Sequence, residues 1–138
     1  MVGILIITHG MLGESLIHSA THVMGGRPTQ LAHIGVGMND DPQGVLPQAV
    51  SMLRSLDQGN GVLVLADVYG ATPSNIACRL LIPGKVEGVA GVNLPMLVRA
   101  LTYRNEPLKT VVAKAVSGGI EGVMQMPLAQ VKNAATRN

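Results

Sequence analysis

The sequence predicts an α/β fold: an open, doubly wound, mainly parallel sheet in strand order 2-1-3-4 with helices on both faces. Apolar runs of strand length alternate along the chain with amphipathic stretches of helix length. The run Val2-Gly3-Ile4-Leu5-Ile6-Ile7-Thr8 stops abruptly at His9-Gly10, and the run Gly61-Val62-Leu63-Val64-Leu65-Ala66 stops the same way at Asp67. Uninterrupted β-branched and aliphatic runs belong to parallel strands buried on both faces. In such sheets ligands and chemistry gather beyond the carboxyl ends of the strands, where the strand order reverses. His9 and Asp67 are therefore expected to face each other across one crevice.

The elements follow in order. After the first strand, Leu12, Leu16, Ile17, Ala20, Val23 and Met24 share one helical face, which ends at Gly25-Gly26. Gln30 to Val36 reads as the second strand, and Gly37-Met38-Asn39-Asp40-Asp41 as a loop. Asp41 is placed to cap a helix with Pro42 at its first position. Val45, Leu46, Ala49, Met52, Leu53 and Leu56 keep helical spacing, and Gly59-Asn60-Gly61 turns into the third strand. Thr72-Pro73 supplies a capping hydroxyl and an N1 proline for a helix to about Ile82, broken by Pro83-Gly84. Val86 to Val92 is a fourth strand, and Asn93-Leu94-Pro95 opens a helix through about Tyr103. Leu108 to Ser117 reads as the last helix, Gly118-Gly119 as an interruption, and Gly122 to Met126 as a short final strand. Residues 1–127 form one domain without internal repeat, and the polar tail 128–138 is expected to fray.

Composition narrows the function classes. With 138 residues, 47% apolar and 13% charged, the chain can bury a proper core and is not disordered. It has no Phe or Trp, so that core is built from Leu, Ile, Val, Met and Ala. No apolar stretch approaches the ~20 residues of a membrane helix, and the opening run lacks the basic flank and cleavage site of a signal peptide. The net charge of +2 comes from scattered Lys and Arg, and Tyr69 and Tyr103 are the aromatics, which argues against nucleic acid as a partner. The single cysteine, Cys78, excludes an intrachain disulfide and fits a reducing cytoplasm.

Nucleotide motifs are absent. Gly35-Val36-Gly37 lacks the third glycine of a dinucleotide fingerprint, and Gly84-Lys85 lacks the upstream glycine of a phosphate loop. His18 and His22 have metal-ligand spacing, but they share a face with Ser15 and Ser19, and Glu14 alone does not complete a ligand set. They read as solvated helix surface, His33 as a structural strand residue, Cys78 as core, and Met124 and Met126 as core or interface filling. No metal and no cofactor is implied.

His9 and Asp67 carry more. A carboxylate on one ring nitrogen fixes the tautomer and leaves the other nitrogen free as a nucleophile. Unpaired amides at the helix starts near Gly10 and around Ser74-Asn75 suit a phosphoryl group. The residues alone thus point to a phosphoryl-accepting histidine, with Gly10, Thr72, Ser74 and Asn75 expected around the group. An aspartate-phosphorylated receiver domain is the competing reading, with Asp67 as acceptor; it needs an acidic pair for magnesium where His9 stands, whereas Asp40-Asp41 follows the second strand. A histidine phosphatase would need an arginine where Thr8 stands.

At these residues the chain resembles the IIA component of the mannose family of the phosphoenolpyruvate-dependent sugar phosphotransferase system. The matching stretches are Thr8-His9-Gly10, the run from Asp67-Val68-Tyr69-Gly70 through Ala71-Thr72-Pro73-Ser74-Asn75-Ile76-Ala77, and Ala90-Gly91-Val92-Asn93-Leu94-Pro95-Met96-Leu97-Val98. The family's loop usually carries Trp, Gly and Ser where this chain has Tyr69, Ala71 and Thr72; Thr72 keeps the hydroxyl. There is also a more distant likeness to the phosphotransfer subunit of dihydroxyacetone kinase. The resemblance implies that His9 accepts a phosphoryl group on Nε2 from the phosphocarrier protein HPr while Asp67 orients Nδ1. His9 would pass the group to a histidine of a IIB component for sugar uptake. It also implies a homodimer that exchanges an edge strand, which suits Gly122–Met126. The IIB partner is expected to be a separate chain or missing, and membrane IIC and IID components would be reached indirectly, at the inner face of the membrane. A regulatory phosphocarrier uncoupled from transport is the alternative within this class.

Overall fold

A computed structural model describes residues 1–129, so the predicted frayed tail lies almost wholly outside the described residues. The chain runs β1 (Gly3–His9), α1 (Leu12–Met24), β2 (Leu31–Val36), α2 (Pro42–Leu56), β3 (Val62–Ala66), α3 (Thr72–Cys78), β4 (Val86–Ala90), α4 (Leu94–Thr102) and α5 (Leu108–Glu121). The strands form a four-stranded, all-parallel sheet in the order β2-β1-β3-β4, as predicted.

The period of two in β1 explains the two apolar layers. Ile4 and Ile6, with Leu63 and Leu65, meet Ile17 and Ala20 of α1, Leu97 and Ala100 of α4, and Val111 and Ala115 of α5. Leu5 and Ile7, with Val64 and Ala66, meet Ala49 and Leu56 of α2 and Ile76, Ala77 and Leu80 of the α3 region. Both faces being covered is why the strands read as apolar throughout. The lower edge is tied by Arg104, which donates to the Val2, Thr29 and Gln30 carbonyls at 2.6–3.0 Å. Burial pulls its pKa down, and the carbonyls take the place of a counter-ion.

Helix boundaries follow the expected signals at several ends. Gly25 closes α1 in the left-handed region at φ 81°. Asp41 accepts from the Gln43 amide with Pro42 behind it, and Asn93 caps α4 by accepting from Met96.

Elsewhere the expectations need correcting. The buried stripe of α1 is Gly13, Ile17 and Ala20, and Leu12, Val23 and Met24 are exposed. At 3.6 residues per turn, Leu12 and Val23 stand about 80–100° from Gly13, on the shoulder of the helix, and Met24 sits in the last turn. Helix α3 ends at Cys78, not near Ile82, and its cap residue is Ala71, not Thr72. Ile82 instead forms an antiparallel bridge with Val86 across the Pro83-Gly84 turn. Cys78 is exposed rather than core, because Ile76, Ala77 and Leu80 make the inward face of this short segment.

The last helix runs straight through Gly118-Gly119. Its partner α4 is the reason: a Cβ on Gly118 would lie 2.8 Å from the Arg99 Cβ, and one on Gly119 2.7 Å from the Met96 Cε. Close helix contact outweighs the roughly 1 kcal/mol that each glycine costs a helix. The predicted strand at Gly122–Met126 does not form within the chain; Gly122 caps α5, and Val123, Met124 and Met126 are exposed.

Candidate functional site

His9 is the last residue of β1, and Asp67 is the residue after β3. Because β1 and β3 are hydrogen-bonded neighbours with Ile7 opposite Ala66, the two side chains emerge beside each other. The His9 Nδ1 lies 2.8 Å from the Asp67 Oδ2, and the same oxygen accepts from the His9 amide at 2.9 Å. The other carboxylate oxygen, Oδ1, accepts from the Val68 amide at 2.9 Å. Burial pushes the Asp67 carboxyl up, but the bonds from the His9 amide, the His9 ring and the Val68 amide outweigh it and hold the pKa below its ordinary value.

The protonation pattern follows. An ionised carboxylate only accepts, so Nδ1 must carry a proton, and the neutral ring holds its lone pair on Nε2. Exposure divides the roles: the side chain of Asp67 is 7% exposed and that of His9 57%. The carboxylate is enclosed by its hydrogen bonds, and the imidazole is the solvent-facing member of the pair.

The ring opens into a crevice of about 510 Å³ lined by His9, Gly10, Val36, Gly37, Met38, Asp40, Pro42 and Thr72. Of the residues predicted around a phosphoryl group, Gly10 and Thr72 stand in this lining, and Ser74 and Asn75 do not. The Ser74 hydroxyl is buried and committed to its own loop, accepting from the Gly70 amide at 2.8 Å and donating to the Ala71 carbonyl at 3.0 Å. Asn75 is exposed on α3, its amide donating to the Ala71 carbonyl. The Gly10 amide is also taken, by the Val36 carbonyl at 3.0 Å, so any free amides on this side belong to the start of α1.

The apolar periodicity of the sequence missed three contributors. Thr8 is fully buried, and its hydroxyl accepts from the Gly13 amide at 2.8 Å, supplying the cap that Met11 does not. Asp40 closes the loop after β2 by accepting from the Gly37 amide, and Met38 at the tip is fully exposed. The available signal was the strand order itself: with β2 beside β1, the loop after β2 must border the His9 crevice.

The other histidines stand apart. His18 and His22 lie on the solvent side of α1, and His33 is half-buried in β2 with its Nδ1 unpartnered. Among the described residues no three His, Cys, Asp or Glu side chains are grouped to hold a metal ion. No described helix is long and apolar enough to cross a membrane.

The family model described as PTS system fructose IIA component, EIIA-man, matches residues 3–116. The mannose-specific EIIAB component of Escherichia coli K12 is 33% identical over 137 residues, covering 97% of this chain and 42% of that protein. The chain thus spans about two-fifths of the length of that relative. The fructose-specific EIIA component of Bacillus subtilis is 28% identical over 105 residues, covering 75% of this chain and 71% of that protein. Among solved structures, the mannose/sorbose-specific IIA subunit of the phosphotransferase system from Enterococcus faecalis superposes with a TM-score of 0.82 at 26% identity, covering 94% of this chain and 97% of that one.

Proposed function

The chain belongs to the EIIA-man family of phosphotransferase-system IIA components, and from that premise we propose that His9 is its phosphoryl acceptor. The proposed donor is the phosphocarrier protein HPr and the proposed recipient a histidine of a IIB component. One observation carries this reading: Asp67 holds Nδ1 at 2.8 Å, which leaves the Nε2 lone pair on the half-exposed ring.

In the proposed step, Nε2 attacks the phosphorus of the donor's phosphohistidine. The new N–P bond forms as the donor's N–P bond breaks, and the donor nitrogen keeps the electron pair. The phosphorylated ring still carries its Nδ1 proton and so bears positive charge, which the Asp67 carboxylate offsets at hydrogen-bond distance. The return step to the IIB histidine reverses these roles. Gly10 and Thr72 border the transferred group.

Asp67 as acceptor, the receiver-type alternative, is disfavoured because its two oxygens take three hydrogen bonds and its side chain is nearly buried. We further read the protein as a homodimer, supported by exposed Ile120 and Val123, which share a crevice with Val89 and Ala90 of the edge strand β4. Association with membrane IIC and IID components would then run through IIB.

The experiment is labelling from phosphoenolpyruvate through the general phosphotransfer enzyme and HPr, without nucleotide. One acid-labile, alkali-stable phosphate per chain is expected, and none in His9→Ala. Full labelling of His9→Ala overturns the reading, and a hydroxylamine-sensitive phosphate lost in Asp67→Asn assigns the chemistry to the carboxylate.

A further inference from the structure

The turn that carries His9 lies directly on a glycine of the neighbouring strand. A Cβ built on Gly35 would overlap the Gly10 carbonyl oxygen and sit 3.2 Å from its carbonyl carbon. Both obstacles are main-chain atoms, so no rotamer change relieves them. Gly35 is outside the left-handed region, so space and not φ requires glycine there. Gly10 is the converse: it has φ 52°, and a Cβ there would meet no atom within 4 Å.

The same turn is held at two further points. Its Gly10 amide donates to the Val36 carbonyl at 3.0 Å. Thr8, with no exposed surface, accepts from the Gly13 amide at 2.8 Å and so fixes the start of α1 to the end of β1. Between these anchors the His9 amide and ring both reach one Asp67 oxygen, at 2.9 and 2.8 Å. A shift of the His9-Gly10 backbone therefore disturbs both bonds together.

We propose that Gly35 of the neighbouring strand β2 and Thr8 within β1 form a seat for the His9-Gly10 turn and are positioning residues that set the imidazole against Asp67. The inference rests on the reading of His9 as phosphoryl acceptor and extends it to residues that touch no reactant. Restoring an ordinary C···O separation of about 3.3 Å after Gly35→Ala needs a backbone shift of about 1 Å. Misplacement on that scale costs a reacting group about a hundredfold in rate.

The test compares four full-length chains labelled with ¹⁵N-histidine: unaltered, Gly35→Ala, Thr8→Val and Gly3→Ala. Gly3→Ala is the control for strain without displacement of the site, since its Cβ would lie 2.5 Å from the Leu56 carbonyl oxygen at the other end of β1. The unaltered chain is expected to show a single Nδ1-protonated His9 tautomer. Gly35→Ala should show mixed tautomers and a transfer rate about a hundredfold lower at saturating phosphorylated HPr. Gly3→Ala should melt at a lower temperature with the His9 ring signals unchanged.

Folded Gly35→Ala with unaltered ring signals and rate overturns the seat. Should Gly35→Ala fail to fold, Thr8→Val decides: mixed tautomers support the proposal, and unaltered ring signals overturn it. An unaltered chain that takes no phosphate removes the acceptor reading, while the ring signals still judge the seat.

Discussion

Asp67→Asn separates the proposed orienting role of this side chain from its contribution to the fold. Oδ2 accepts from the His9 amide and ring, and Oδ1 accepts from the Val68 amide. An asparagine has one acceptor and one donor end. Its best orientation keeps the oxygen toward His9 and turns the NH₂ toward the Val68 N–H. That strands one amide, at a cost of about 1–3 kcal/mol when a donor loses its partner. Val68 is exposed, so water can take its N–H, which places the cost near the lower end, about 1 kcal/mol. The proposed transfer step loses more. The amide cannot offset the charge of the phosphorylated ring, and removing a partner that orients an imidazole and stabilises its charge costs about 10²–10⁴ in rate. At 1.36 kcal/mol per factor of ten this is about 2.7–5.4 kcal/mol of barrier. The variant is therefore expected to stay folded and lose transfer. Urea denaturation gives the first quantity, and the rate of labelling from phosphorylated HPr the second. Transfer within a factor of three of the unaltered rate refutes the role given to Asp67, and a loss of stability above 4 kcal/mol refutes the account of its hydrogen bonds.

Because folding lowers the Asp67 pKa, its contribution to stability is fully present above the unfolded carboxyl value and is lost as pH falls through the folded value. The stability gap between the native chain and Asp67→Asn should therefore narrow on acidification, and a gap that widens contradicts the sign. Gly10→Ala meets no atom but keeps φ near 52°, so strain alone should cost about 1–2 kcal/mol in urea denaturation; no loss would show that the turn relaxes freely. Arg104→Met takes both guanidinium bonds from the buried Val2 carbonyl, whereas Thr29 is exposed and the Gln30 carbonyl still accepts from the Ile4 amide, so the substitution should cost about 1–3 kcal/mol. A melting temperature unchanged by that substitution would show that other donors fill the place.

The sheet order and the meeting of His9 with Asp67 were legible because both depend on long-range regularities that leave local marks. A strand buried on two faces reads as an unbroken apolar run, and its end reads as the first polar residue. Caps that act on the nearest helix, Asp41 and Asn93, were legible or nearly so for the same reason. What the sequence hid was tertiary. Gly118 and Gly119 look like a helix stop until α4 is laid against them. Thr72 looks like a cap, but the loop from Gly70 turns so that Ser74 takes the bonding role. Thr8 and Gly35 carry no periodic signal, since one is a polar residue in an apolar run and the other a glycine in a strand. Their meaning appears only when β1, β2 and α1 are in contact. The segment Gly122–Met126 makes a plausible strand by pattern, but it pairs with no strand among the described residues.

The proposed acceptor role makes Nε2 of His9 the reactive atom, because Asp67 occupies Nδ1. It is tested by labelling the chain with ¹⁵N-histidine, phosphorylating it through HPr, and recording which ring nitrogen couples to ³¹P. Coupling is expected at Nε2 of His9, with the Nδ1 proton retained and directed to Asp67. Coupling at Nδ1, or at a ring nitrogen of His18, His22 or His33, contradicts it.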